Sequence, residues 1–93
     1  MTTQVFDSVW DAISDTPAEA EYMNIRSVLM GELRDHIKIK GWSQLEAASA
    51  LGVTQPRISD LMRGKIGLFG IEALISMLSA AGLHVELHIA KAA

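Results

Sequence analysis

Apolar residues recur at helical spacing over most of this chain, and at alternating spacing only near its end. Residues 5–14 set Val5, Phe6, Val9, Trp10 and Ile13 among acidic neighbours, which predicts a short amphipathic helical arm. Thr16-Pro17-Ala18-Glu19 then combines a cap, a proline in the first helical position and a glutamate three residues after the cap. A long helix is expected from there to about Lys40, burying a stripe of Tyr22, Ile25, Leu29, Leu33 and Ile37 flanked by Met23, Met30 and Ile39. Gly41 ends it, and Trp42 is expected to pack beneath the following turn. Further on, Leu68 and Phe69 return to the core. A last helix is expected from about Ile71 to Ala81, with Leu74, Ile75 and Leu78 on one face and Gly82 as its stop.

Between these helices lies the most informative stretch, residues 43–63. Ser43 with Glu46 three positions on forms a capping box, opening a helix that runs to about Leu51. Gly52 sits where the chain must turn and takes the left-handed conformation without a Cβ penalty. Thr54 caps the next helix, and Pro56 falls in its first turn, where no intrahelical N–H is lost. Ala48 is small where the two helices cross. Leu45, Leu51, Val53, Ile58 and Leu61 form the apolar seam, leaving Gln55, Arg57, Ser59 and Arg63 outward. Two helices this short bury little by themselves, and their use is to project the second one, most often into the major groove of DNA. The bland alternative is a plain antiparallel helix pair in a bundle, which does not require Gln-x-Arg on an outward N-terminal turn.

The end of the chain reads differently. Leu83-His84-Val85-Glu86-Leu87-His88-Ile89 alternates apolar and polar, the pattern of a half-buried strand. Nothing else in the sequence reads as a strand, and one strand leaves its backbone groups unpaired. The simplest remedy is a second copy, paired antiparallel about a two-fold axis. A homodimer held by Leu83, Val85, Leu87 and Ile89 is therefore expected; the other reading is an extended tail packed on its own subunit.

Composition narrows the chemistry. Ninety-three residues make one small domain with a thin core. Cysteine is absent, which excludes disulfide and thiolate–zinc scaffolds and fits a reducing cytoplasm. No signal peptide and no membrane-spanning apolar run is seen. The net charge of −3 argues mildly against nucleic acid, but its distribution does not. Residues 1–35 carry Asp7, Asp11, Asp15, Glu19, Glu21, Glu32 and Asp35 against Arg26 and Arg34, a net of −5. Residues 36–93 carry Lys38, Lys40, Arg57, Arg63, Lys65 and Lys91 against Glu46, Asp60, Glu72 and Glu86, a net of +2. Binding to phosphates depends on the local field, and the acidic part suits a basic partner. No nucleophile–base pair, phosphate-cradling loop or carboxylate pair is found, so no enzyme and no cofactor is expected. His84, Glu86 and His88 share a strand face, yet read as a solvated polar side, with no metal site expected; His36 reads as surface.

The motif resembles the helix-turn-helix of phage repressors and the Xre family. Counting from Gln44, Ala48, Gly52, Ile58 and Leu61 fall at its small, glycine and apolar positions. Thr54-Gln55-Pro56-Arg57-Ile58-Ser59-Asp60-Leu61, followed by Arg63-Gly64-Lys65, is the closest part. Over most of residues 16–90 the chain looks like the HigA-type antitoxins of bacterial toxin–antitoxin pairs, with Gly70 departing from the polar cap expected before the last helix. The resemblance implies an all-α fold, a small helical bundle with a phage-repressor-like helix-turn-helix, to which the residues add one C-terminal β-strand pairing across a dimer. It divides the chain into an arm (1–15), a DNA-binding domain (16–82, motif 43–63) and a dimerisation strand and tail (83–93).

It further implies a cytoplasmic repressor of its own operon that neutralises a small basic RNase toxin of the RelE/HigB type. Gln55, Arg57 and Ser59 are the expected base contacts, with adenine the natural partner of the Gln55 amide and Arg57 reading guanine or gripping a phosphate. Ser43, Gln44, Thr54, Arg63 and Lys65 are the expected backbone contacts, Gln44 also bracing Gln55. Asp60 either accepts from cytosine or points away. Phe6 and Trp10 either pack on the body or anchor a partner chain. A phage-type repressor without a toxin and a protein-docking module that does not bind DNA are the alternatives.

Overall fold

The computed structural model describes residues 16–91. Four α-helices follow in order: α1 (Pro17–Lys40), α2 (Gln44–Leu51), α3 (Gln55–Met62) and α4 (Ile71–Ala80), with a 3-10 turn at Ile66–Leu68 before the last. The local signals act where they stand in the sequence. The Glu19 N–H donates to Thr16 Oγ1 at 3.1 Å at the head of α1, and Gly41 closes that helix in the left-handed conformation. α4 starts at Ile71 behind Gly70, which offers no side-chain cap.

α1 is the backbone of the packing. It lies along α4, while α2 and α3 pack on each other and close the other side of the core. Leu33 of α1, Ile58 and Leu61 of α3, Leu74 of α4 and Phe69, which follows the 3-10 turn, are fully enclosed. Ala47 and Ala48 are buried where α2 meets this core, so the small side chains let the helix approach closely.

Several sequence expectations are corrected by the packing. Tyr22 is 58% exposed, and Ala20 and Asn24 are buried in its place; the buried face of α1 is rotated at its N-terminal end. Leu45 is 66% exposed, because Ala47, Ala48 and Leu51 supply the inner face of α2. Leu68 points out while Phe69 takes the core position. On α4, Met77 is buried with Leu74 and Leu78, and Ile75 is left at the margin. His36 is half-buried rather than on the surface, with its ring edge-on to Trp42 at 5.5 Å between centroids. Trp42 does pack against the core at the α1–α2 turn.

The expected strand is not formed among the described residues. The Leu83 N–H donates to Leu78 O at 2.9 Å, finishing α4, and residues 83–91 have no regular secondary structure. A strand exists only through its ladder, and the described part of one chain supplies no second strand. The arm at residues 1–15, with Phe6 and Trp10, lies outside the described residues. Among the described residues no helix is long and apolar enough to cross a membrane.

Candidate nucleic-acid interface

The α2–turn–α3 unit is fixed by its own caps. Ser43 Oγ accepts from the Glu46 N–H at 3.1 Å, and the Glu46 carboxylate accepts from the Ser43 N–H at 2.9 Å. The Ser43 backbone N–H donating to it, and after that the Ser43 hydroxyl, hold the Glu46 carboxyl below its ordinary value, against an opposing effect of burial. Gly52 turns the chain at φ 69°, and its N–H donates back to Ala48 O. Thr54 Oγ1 then accepts from the Arg57 N–H at 3.4 Å, a longer cap than that of Ser43. Both hydroxyls serve their caps as acceptors.

The candidate contacts are distributed along one run of chain. Gln55 is the first residue of α3 and is exposed, as are Ser43, Gln44, Thr54, Pro56, Arg63 and Lys65. Ser59 lies one helical turn after Gln55 and is half-buried. No hydrogen bond joins Gln44 to Gln55 among the described residues. Asp60 is paired with Lys65 at 3.4 Å, so its repulsion of phosphate is partly cancelled by a lysine five residues on. Arg63 follows directly on α3, and its N–H donates to Ser59 O.

Arg57 is oriented differently. Its Nη1 donates to Leu68 O at 2.6 Å, and its guanidinium stands over the Phe69 ring. The segment it grips is held from the other side by Arg26 of α1, whose Nε donates to Phe69 O at 2.7 Å and whose Nη2 donates to Ile66 O at 2.6 Å. Three carbonyls between residues 66 and 69 thus end on two arginines. The backbone that carries Arg63 and Lys65 is tied to both α1 and α3. Gly64, at φ 72°, completes the bend; a Cβ there would lie 3.3 Å from Arg34 Nη1. Arg26 escaped the sequence reading. Its only trace was an arginine placed beside the buried stripe of a long helix, next to Ile25.

The C-terminal candidates separate into two pairs. Leu83 and Val85 pack on the core, whereas Leu87 and Ile89 are 78% and 91% exposed. His84, Glu86 and His88 are exposed. Among the described residues, no group of three or more His, Cys, Asp or Glu is placed to hold a metal ion.

Comparison with known proteins fits this geometry. A family model described as "Helix-turn-helix domain" matches residues 12–90. A solved structure named "Putative XRE Family Transcriptional Regulator" superimposes with a TM-score of 0.72 at 34% identity, covering 78% of this chain and 82% of that one. No curated protein matches. The chain belongs to the helix-turn-helix domain family, and within it to the XRE family of transcriptional regulators.

Proposed function

We propose that this chain is a cytoplasmic repressor that binds operator DNA as a homodimer, with α3 in the major groove, and acts without catalysis or a cofactor. The observation that carries the reading is Gln55, exposed at the capped first residue of a helix whose opposite side is locked into the core by Ile58 and Leu61. Gln55 faces a base, and Ser59 one turn later faces the next part of the groove. Ser43, Gln44, Thr54, Arg63 and Lys65 grip the phosphates on either side. Arg57 belongs to the same proposed surface, but it reaches DNA only by releasing Leu68 O. The exposed Leu87 and Ile89 support the dimer: pairing of residues 83–89 with a second copy covers them and sets two recognition helices about a two-fold axis.

The finer role is that of an antitoxin against a small basic RNase toxin of the RelE/HigB type, docked by the arm that holds Phe6 and Trp10. Its support is the resemblance over residues 16–90 and the net charge of −5 in residues 1–35.

The test is binding of the purified protein to its own upstream promoter fragment against random DNA, at several salt concentrations, with a Gln55→Ala chain alongside. Promoter binding that falls steeply with salt and loses its preference in the variant supports a sequence-specific repressor. Equal, weak binding to both DNAs, unchanged in the variant, overturns it. Co-expression with a short basic protein encoded beside it tests the antitoxin role: absence of such a neighbour, or no complex and no relief of growth arrest, sinks that role and leaves the repressor standing.

A further inference from the structure

We infer that Arg34 of α1 is a further DNA-phosphate contact, offered beside Gly64 at the bend that carries Arg63 and Lys65. The inference rests on the proposed binding of operator DNA and extends its surface from the helix-turn-helix to the long helix.

Arg34 is half-buried, and its Nε is enclosed without a hydrogen-bond partner among the described residues. Its Nη1 lies against Gly64, so close that a Cβ there would stand 3.3 Å away. Gly64 follows Arg63 and precedes Lys65, so three cationic residues are gathered at one bend.

Counter-charge is missing on both sides of that bend. On α1 the residues one turn from Arg34 are Met30, Gly31, Ile37 and Lys38, three neutral and one a further cation. Asp60, the one carboxylate of α3, is paired with Lys65 at 3.4 Å. The carbonyls of the last turn of α3 are taken by backbone: Ser59 O accepts from the Arg63 N–H, Asp60 O from that of Lys65, and Leu61 O from that of Gly64. Arg26, eight residues earlier on α1, shows the contrast, because its guanidinium ends on Phe69 O and Ile66 O. Arg34 has the same chemistry and, among the described residues, no acceptor.

A half-buried guanidinium without an acceptor costs stability. Such a cost is kept where a ligand supplies what is missing. The ligand that fits is an anion with several acceptor oxygens, and on the proposed surface that is a phosphate. Arg34 is already packed against the loop, so it loses little rotamer freedom on binding.

The test is a salt series on promoter and random DNA with urea unfolding of the same chains. Arg34→Met keeps most of the apolar stem and removes the charge. Its urea midpoint is expected to equal or exceed that of the parent, because an unpaired charge is lost. Its dependence of log K on log salt should fall by about 0.9, with binding weakened about fivefold to tenfold near 0.1 M salt. Promoter and random DNA should weaken alike, since a phosphate carries no sequence. Arg34→Lys restores the charge and is expected to recover the slope.

An unchanged slope in Arg34→Met overturns the contact. So does a lower urea midpoint, which marks a structural arginine, and so does a loss confined to the promoter, which marks a base contact. A slope in Arg34→Lys as low as in Arg34→Met points to packing rather than charge and counts against it equally. If the parent binds neither DNA in a salt-dependent way, the repressor reading itself fails and takes this contact with it. A parent that prefers its promoter, beside an Arg34→Met chain of equal slope, sinks only the contact.

Discussion

The guanidinium carbon of Arg57 stands 4.0 Å above the centre of the Phe69 ring. Phe69 is fully enclosed, and its carbonyl accepts from Arg26. One residue thus meets the helix that presents Gln55 through its ring and the arginine of the long helix through its carbonyl. α3 and the loop after it are tied through one segment to each other and to α1.

Arg57→Ala is expected to lower folding stability by about 1–2 kcal/mol, through the charged hydrogen bond to Leu68 O and the ring contact. Arg57→Lys recovers little, because a point charge does not reproduce the planar fork over the ring. Gln55→Ala stays within about 0.5 kcal/mol of the parent while losing promoter preference. Urea unfolding of the three chains checks this. Unchanged stability in Arg57→Ala would mean that the guanidinium is free for DNA.

Arg26→Ala removes two of the three carbonyl clamps at once. A loss of about 2 kcal/mol is expected, since Phe69 O and Ile66 O lose a charged donor. Arg26 lies on α1, outside the proposed contact set, yet its loss is expected to weaken promoter binding by loosening Arg63 and Lys65. Hydrogen exchange of residues 63–69 should accelerate relative to α1; equal protection would dismiss the clamp.

The capping box gives folding an acid limit. The folded-state value of Glu46 lies below its ordinary 4.5, so its contribution to stability is complete above the unfolded value and is lost as pH falls through the folded one. Glu46→Gln should remove that part of the acid slope, and Ser43→Ala should cost about 1 kcal/mol at neutral pH. Melting curves over a descending pH series decide it; an identical acid slope in Glu46→Gln refutes the assignment.

Arg63→Ala and Lys65→Ala should each reduce the dependence of log K on log salt by about 0.9, the share of one phosphate contact. Asp60→Asn releases Lys65 from its ion pair and should tighten promoter binding several-fold at low salt. A salt series for each variant is the measurement. An unaltered slope in Lys65→Ala would show that this lysine serves only Asp60.

What the sequence determined by itself is local. Thr16, Ser43 and Thr54 cap the helices they were read to cap, and Gly41 and Gly52 end the helices they follow. Each of these signals acts within about one turn of chain, so its partner is already present in the neighbouring residues. The helix-turn-helix was legible for the same reason, because its residue types agree at short fixed offsets. Tertiary packing decided which apolar residues are inside. Helical periodicity marks a face but not its edges, and Tyr22, Leu45 and Ile75 stand at edges that only the neighbouring helices define. Packing also decided what Arg57 does: an arginine that looks outward from its own helix finds Leu68 O and Phe69 eleven and twelve residues away. Arg26 reaches forty and more residues along the chain to the same segment, a contact that no local pattern encodes. Residues 83–89 mark the same boundary from the other side. Their alternation specifies a strand face, but a strand needs a partner's backbone, and among the described residues the chain holds none.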